Sequence, residues 1–530
     1  MNFAGTWSLV RLALRRDRIL LPVWLIAFAL ILQSAVATFT KLYDTAQERA
    51  ELAASVASNP TFEALYGPLY GDSTGAFLSW RYGTTIGVFA ALMSLLIAVR
   101  HTRAEEETGR LELVRAGVVG RLAPLTSSLI TVYLANLVLF ALTAAITAGG
   151  GLDGAGSIAF AFQITVNGVV FGTLAGLTAQ ITESARFASG LAGLALGGCY
   201  LLRAVGDTGG PAWLSWLSPI GWALRLRPFE ENAWWVLGLF AALTAVLLTG
   251  AYSLQRRRDF GAGLVAPRPG PATARPSLRT PLALAWRLQR GLLLGWVIGF
   301  VLLGAVFGGA ANGVEDIFDS NPQLMEVLER LDQGSIIDIY MTMIMGITAL
   351  IVSVYSIQAT LRLRAEETGL LAEPVLATGV GRVKWAAGHL AFAVIGPAVL
   401  LLTAGAAMGL VYGAAVGDVG GQLTSSLRSS AVQLPAVWVL TGLAVALFGL
   451  APRLAALAWA ALVVFVLLGQ LGPILQLDQW AMDLSPFTHV PAPSASTFDA
   501  APLLWLLALA AALTTAGLTG LRRRDIASAG

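Results

Sequence analysis

Residues Arg103–Arg121 read "RAEEETGRLELVRAGVVGR", and 261 residues further on Arg364–Arg382 read "RAEETGLLAEPVLATGVGR". Each stretch follows a long apolar run, opens on Arg-Ala and a block of glutamates, and meets a glycine, Gly109 or Gly369, just after the acids. Glycine weakens a helix and tolerates backbone conformations that other residues avoid. Both stretches therefore predict a helix end, a break and a second short helix. What surrounds the two copies decides what they are for.

The chain has 530 residues, of which 56% are apolar and 12% charged, where a soluble domain carries about 25% charged residues. With a mean hydropathy of +0.72, the apolar runs cannot all be hidden in a soluble core, so the solvent is a bilayer. The net charge is only +3, and the arginines stand at the ends of apolar runs. No basic patch interleaved with aromatics points to nucleic acid. One cysteine, Cys199, excludes an internal disulfide framework. The N-terminus "MNFAGTWSLVRLALRRDR" lacks the short apolar core and small-residue cleavage site of a signal peptide. Its mixed Trp, Leu and Arg predict a helix lying at the membrane surface.

A helical span needs about 20 mainly apolar residues. The sequence predicts spans near 19–40, 82–100, 124–148, 157–181, 187–205 and 233–253, then near 291–310, 340–361, 385–413, 430–449, 455–473 and 501–520, twelve in all. Basic loops stay in the cytoplasm. With the N-terminus inside, Arg100 to Arg121, Arg256 to Arg258, Arg362 to Lys384 and Arg522 to Arg524 all fall on that side, and both termini are cytoplasmic. The opposite loops carry mainly acids, among them Asp44, Glu63, Glu315 and Glu326, and a cluster of Trp213, Trp216, Trp222, Trp234 and Trp235 that suits an interface.

Between 259 and 281 five prolines interrupt a stretch with no apolar periodicity, which reads as a semi-rigid linker. On either side the halves repeat. "SNP" occurs at Ser58–Pro60 and Ser320–Pro322, predicting a short outer helix with Asn as its cap and Pro in its first turn. "RRRD" closes the last span of each half, at Arg256–Asp259 and Arg522–Asp525. With the opening motif, three anchors recur in one order. The expected architecture is all-α: a polytopic membrane protein of about twelve transmembrane helices in two parallel six-helix repeats, since an even number of spans per half keeps the repeats parallel. Its parts are 1–258, the first half; 259–281, a cytoplasmic linker; and 282–530, the second half.

The arginines of the repeated segment serve orientation, but acids contribute little to it. That the glutamates recur at matching places suggests a segment presenting mixed charge to a partner. With these residues the chain resembles the permease subunits of ABC transporters of the type 2 exporter class. It is similar in particular to the duplicated twelve-span actinobacterial permeases described as exporters of polyketide antibiotics. The resemblance covers essentially the whole chain. It implies a coupling helix after the second span of each half, docking on an ATP-binding subunit. One docking site would hold Arg103, Glu105, Glu106, Glu107, Gly109, Glu112 and Arg115. The other would hold Arg364, Glu366, Glu367, Gly369 and Glu373, with one Glu fewer in its run and with Pro374 and Leu376 where the first copy has Leu113 and Arg115. The class also implies that the second and fifth spans of each half line the substrate path. Candidates there are Phe89, Met93, Phe187, Tyr200, Tyr340, Met341, Met345, Tyr355 and Phe465.

No G-x-x-x-x-G-K-[ST] loop occurs, since neither lysine, Lys41 or Lys384, follows such glycines. The chain is therefore not expected to be an enzyme or to hold a cofactor. ATP and Mg would be bound by a separate subunit, two copies for two coupling segments. The expected function is permease of an ATP-driven exporter moving hydrophobic or amphipathic small molecules such as antibiotics or drugs out of the cell, in the bacterial plasma membrane. An ion-coupled twelve-span secondary transporter is the alternative. Such machines need ionisable groups deep in the membrane, whereas the embedded polar groups here are the neutral Gln163, Asn167, Gln358 and Gln470. His101, His389 and His489 have no metal-ligand neighbour at i+3 or i+4 and read as loop or interface residues.

Overall fold

In hydrocarbon every backbone N–H and C=O must find its partner within the chain, and a helix is the local way to do so. The computed structural model describes residues 2–42, 47, 49–50, 53, 60–115, 117–208, 210–259, 261–265, 272–273, 276–319, 336–471, 478–491 and 499–525. Among the described residues the regular structure is helical throughout. The chain divides into two compact units, Met1–Gly270 and Pro271–Gly530.

The first unit begins with α1 (Thr6–Arg16), which buries Val10 and Ala13 and leaves Trp7 and Leu12 exposed. The first long helix, α2 (Leu20–Leu42), follows. Pro60 opens the expected short helix α3 (Pro60–Tyr66); its expected cap, Asn59, lies outside the described residues. Next comes α4 (Thr74–Arg100), which starts earlier than expected because Ser73 caps it and Ala76, Phe77, Leu78 and Trp80 are buried. Trp80 Nε1 donates to Gly67 O at 2.7 Å and so ties the outer loop to this helix. The charged segment forms α5 (Arg103–Glu107) and α6 (Arg110–Arg115). Four further helices and two short ones complete the unit: α7 (Ala123–Gly149), α8 (Gly154–Ile181), α9 (Ala185–Asp207), α10 (Trp213–Trp216), α11 (Pro219–Leu224) and α12 (Val236–Arg257). The tightly buried α4 and α8 meet through neutral polar groups. Ser79 donates to Gln163 at 2.8 Å, and Asn136 on α7 donates to Ser94 at 2.8 Å.

The second unit opens on α13 (Pro281–Asp319), 39 residues without a break. No turn interrupts it, whereas the first unit turns between Arg16 and Leu20 before its first long helix. Helix α14 (Ile336–Thr368) then carries the second block of acids as its own last turns. It is followed by α15 (Ala372–Ala377), α16 (Arg382–Val416), α17 (Val419–Ala431), α18 (Leu434–Leu450), α19 (Leu457–Leu471), α20 (Gln479–Met482) and α21 (Ala501–Arg523). The second Ser-Asn-Pro, 320–322, lies outside the described residues.

Twelve spans were expected; eleven helices among the described residues have the length and hydropathy to cross a bilayer. The exception is the expected 455–473 span. It is described as α19 over the 15 residues Leu457–Leu471, and positions 472–473 of the expected span lie outside the described residues. The chain is a multi-pass membrane protein.

Candidate functional site

The charged segment of the first unit is built at the arginine-rich end of its helices. Helix α4 stops at Arg100, and Thr102 leaves the helix with φ −118° and ψ −88°. This turns Arg103 inward until only 1% of its side chain is exposed. Its guanidinium meets Glu106 at 2.5 Å and donates to Gly261 O at 2.7 Å. Glu106 accepts a second, bidentate arginine: Arg258 Nη2 reaches Oε1 at 2.5 Å and Nη1 reaches Oε2 at 2.8 Å. Both side chains of that pair are 4% exposed. Arg258 also donates from Nε to Gln180 Oε1 at 2.7 Å, and its own carbonyl accepts from Arg121 Nη2 at 2.7 Å.

The neighbouring acids are engaged as well. Glu105 pairs with Arg16 at 2.6 Å. Glu107 accepts from the backbone N–H of Ala185 at 2.9 Å, at the start of α9 where a carboxylate complements unpaired N–H groups. Gly109, at φ +71°, lets the chain reverse into α6, and Glu112 on α6 is exposed. Arg115 belongs to α6, but its side chain lies outside the described residues.

The second unit repeats the main bond. Arg524 grips Glu367 through Nη1–Oε1 at 2.5 Å and Nη2–Oε2 at 2.6 Å, while Arg382 Nη1 donates to Arg524 O at 2.5 Å. Glu366 meets Arg362 at 3.1 Å and His389 at 3.4 Å, and His389 in turn bonds Gln289 at 3.1 Å. The break differs from the expectation. The helix does end at Thr368, but the left-handed residue is Leu370, at φ +57°, and not Gly369. Glu373, on α15, is exposed, and one Nη of Arg364 is buried without a hydrogen-bond partner. Glu106, Glu366 and Glu367 are thus turned into the protein, whereas Glu112 and Glu373 face out of it.

Sequence reasoning assigned Arg121, Arg258, Arg382 and Arg524 only to orientation. The signal for more was present, since "RRRD" and the glutamate block recur as a pair. His101 lies in the turn between α4 and α5, as expected of a loop residue. His101 is buried at 2.5 Å from Asp17, and His389 is buried beside Glu366, whereas His489 is exposed as expected. Asp17, at the end of α1, also meets Arg100 at 3.1 Å. Burial pushes its carboxyl up; the bond to His101 and the charges of His101, Arg100 and Arg16 outweigh this and hold it below its ordinary value.

The substrate-path candidates divide by unit and by exposure. In the first unit Met93 is fully buried, and Phe89 and Phe187 are exposed. Tyr200 donates to Leu65 O at 3.0 Å beside the buried Arg203, which donates to Glu63 O and Leu65 O at 3.2 and 3.1 Å. Tyr200 therefore helps to hold α3 in place. In the second unit Met341 and Met345 are buried, their sulfurs accepting from Ser426 and Ser430 at 3.0 and 3.2 Å. Tyr355 is buried with an unpartnered hydroxyl, Tyr340 donates to Phe307 O at 3.0 Å, and Phe465 is half-buried beside Leu462.

A family model described as "Multidrug efflux system permease Rv1217c, C-terminal domain" matches residues 8–255 and 278–522. The multidrug efflux system permease protein Rv1217c of Mycobacterium tuberculosis (strain ATCC 25618 / H37Rv) is 43% identical over 527 residues, 99% of this chain and 96% of that protein. The resemblance to exporter permeases is borne out by these matches, and the chain belongs to the Rv1217c family of multidrug efflux system permeases.

Proposed function

We propose that this chain is the permease of an ATP-driven ABC exporter of lipophilic small molecules in the bacterial plasma membrane, with its arginine-rich end in the cytoplasm. Two copies of a separate ATP-binding subunit dock there, one at each charged segment, and bring the ATP and Mg that this chain does not itself hold. The observation that carries the reading is the repetition of one charged segment in both units, anchored each time by a bidentate arginine. The outward-facing Glu112 and Glu373 supply charged contacts to the partner, and the inward-facing acids set the segment's pose. Membership in a multidrug efflux family supports a hydrophobic or amphipathic cargo.

The test is hydrolysis with and without the partner. The purified chain in lipid should hydrolyse no ATP, whereas co-purification with the ATP-binding subunit should give activity that Nile red stimulates. Depleting ATP in cells should abolish dye efflux, and a protonophore that leaves ATP intact should not. Hydrolysis by the chain alone, or efflux that follows the proton gradient, would overturn the proposal.

A further inference from the structure

The two halves differ in many details around the charged segment, yet one arrangement is common to both. A glutamate of the segment, Glu106 or Glu367, takes a bidentate arginine that follows the last span, Arg258 or Arg524. The backbone carbonyl of that arginine accepts from a further arginine at the start of the third span, Arg121 or Arg382. The contact holds whether the acids sit on a separate short helix, as in α5, or on the end of a long one, as in α14.

We propose that Glu106–Arg258 and Glu367–Arg524 are transmission joints, positioning pairs that make the charged segment and the last span of each half move as one body. Two parallel N–H···O bonds fix the relative orientation of the groups, as a single point contact would not. Removal from water strengthens the attraction, and side-chain exposures of 4% and 4% in the first pair and 7% and 16% in the second place both pairs largely out of solvent. The second arginine, bound to the carbonyl of the first, extends the same body to the third span. A force applied to the segment therefore reaches two long helices of its own half directly. The inference rests on the proposed function only in taking the segment as the end where force enters.

The experiment uses the second joint, which has the fewer additional partners, in cells carrying the full chain with its partner subunit. Nile red efflux is measured against dye concentration and normalised to chain in the membrane. E367R should lower the maximal rate per molecule about tenfold or more without shifting the half-saturating concentration. The exchanged pair E367R/R524E should recover to within about threefold of wild type. A wild-type maximal rate in E367R, or no recovery in an exchanged pair that reaches normal abundance, overturns the proposal. If E367R fails to accumulate, the near-isosteric E367Q decides. A fall of about threefold or more per molecule supports the joint, and an unchanged rate makes the bridge merely structural and overturns it. Efflux that persists without ATP would refute the proposed energy source and leave this comparison intact, because the readout is transport itself.

Discussion

Glu106 and Arg258 stand 152 positions apart in the chain, and no local spacing rule links them. Their charge was legible; their pairing was not, because helix-face rules connect only residues three or four apart. Arg203 is a similar case. It is buried at the end of α9, and its guanidinium serves the carbonyls of Glu63 and Leu65. Hydrogen bonds from a charged group are worth about 1.5–3 kcal/mol each. Arg203→Ala is therefore expected to cost about 3 kcal/mol or more, visible as a lowered midpoint of thermal unfolding in detergent, with Arg203→Lys intermediate. An unchanged midpoint would mean that those carbonyls are served by water.

At the scale of elements, apolar runs located the helices well, and the errors lie at their ends. Helix α13 begins at Pro281, ahead of the span expected near 291, and α4 extended outward, because buried side chains beyond the apolar run, such as Ala285 and Phe77, go on supporting helix. Where α18 meets α21, Gly449 and Gly517 lie so close that a Cβ on either would strike the other helix's backbone. Backbone cannot swing aside as a side chain can, so Gly517→Leu should destabilise by at least the roughly 1–3 kcal/mol of ordinary overpacking. Gly469→Leu, with open space around it, serves as control; equal unfolding midpoints for the two would refute the close approach. Helix α1 is held by Asp17 against His101 and Arg100. The folded carboxyl titrates below the unfolded one, so this anchor is fully present above the unfolded value, about pH 3.9, and is lost as pH falls through the folded value. Asp17→Asn should thus lower the unfolding midpoint at pH 7, and its difference from wild type should shrink towards pH 3. A difference that does not vary with pH would remove the charge from the explanation.

For the molecule as a whole, the duplication was legible in three short motifs, and the family in the whole chain. What remained hidden was how the motifs interlock, since each anchor was read as a separate landmark. One detail concerns the stretch between the units. It was read as a linker from residue 259 on, yet its first residues belong to the first unit. Leu264 and Val265 donate to the carbonyls of Gln180 and Ile181 at 3.4 and 3.0 Å, and Gly261 and Ala262 offer theirs to Arg103. The consequence is one of gene organisation. Were this transporter encoded as two genes, a boundary between Ala272 and Thr273 would keep these bonds within the first product, and the two polypeptides, co-expressed, should efflux Nile red at near the single-chain rate. A boundary between Asp259 and Phe260 would hand those acceptors to the wrong polypeptide. Its loss of efflux would mark where the first coding unit must end.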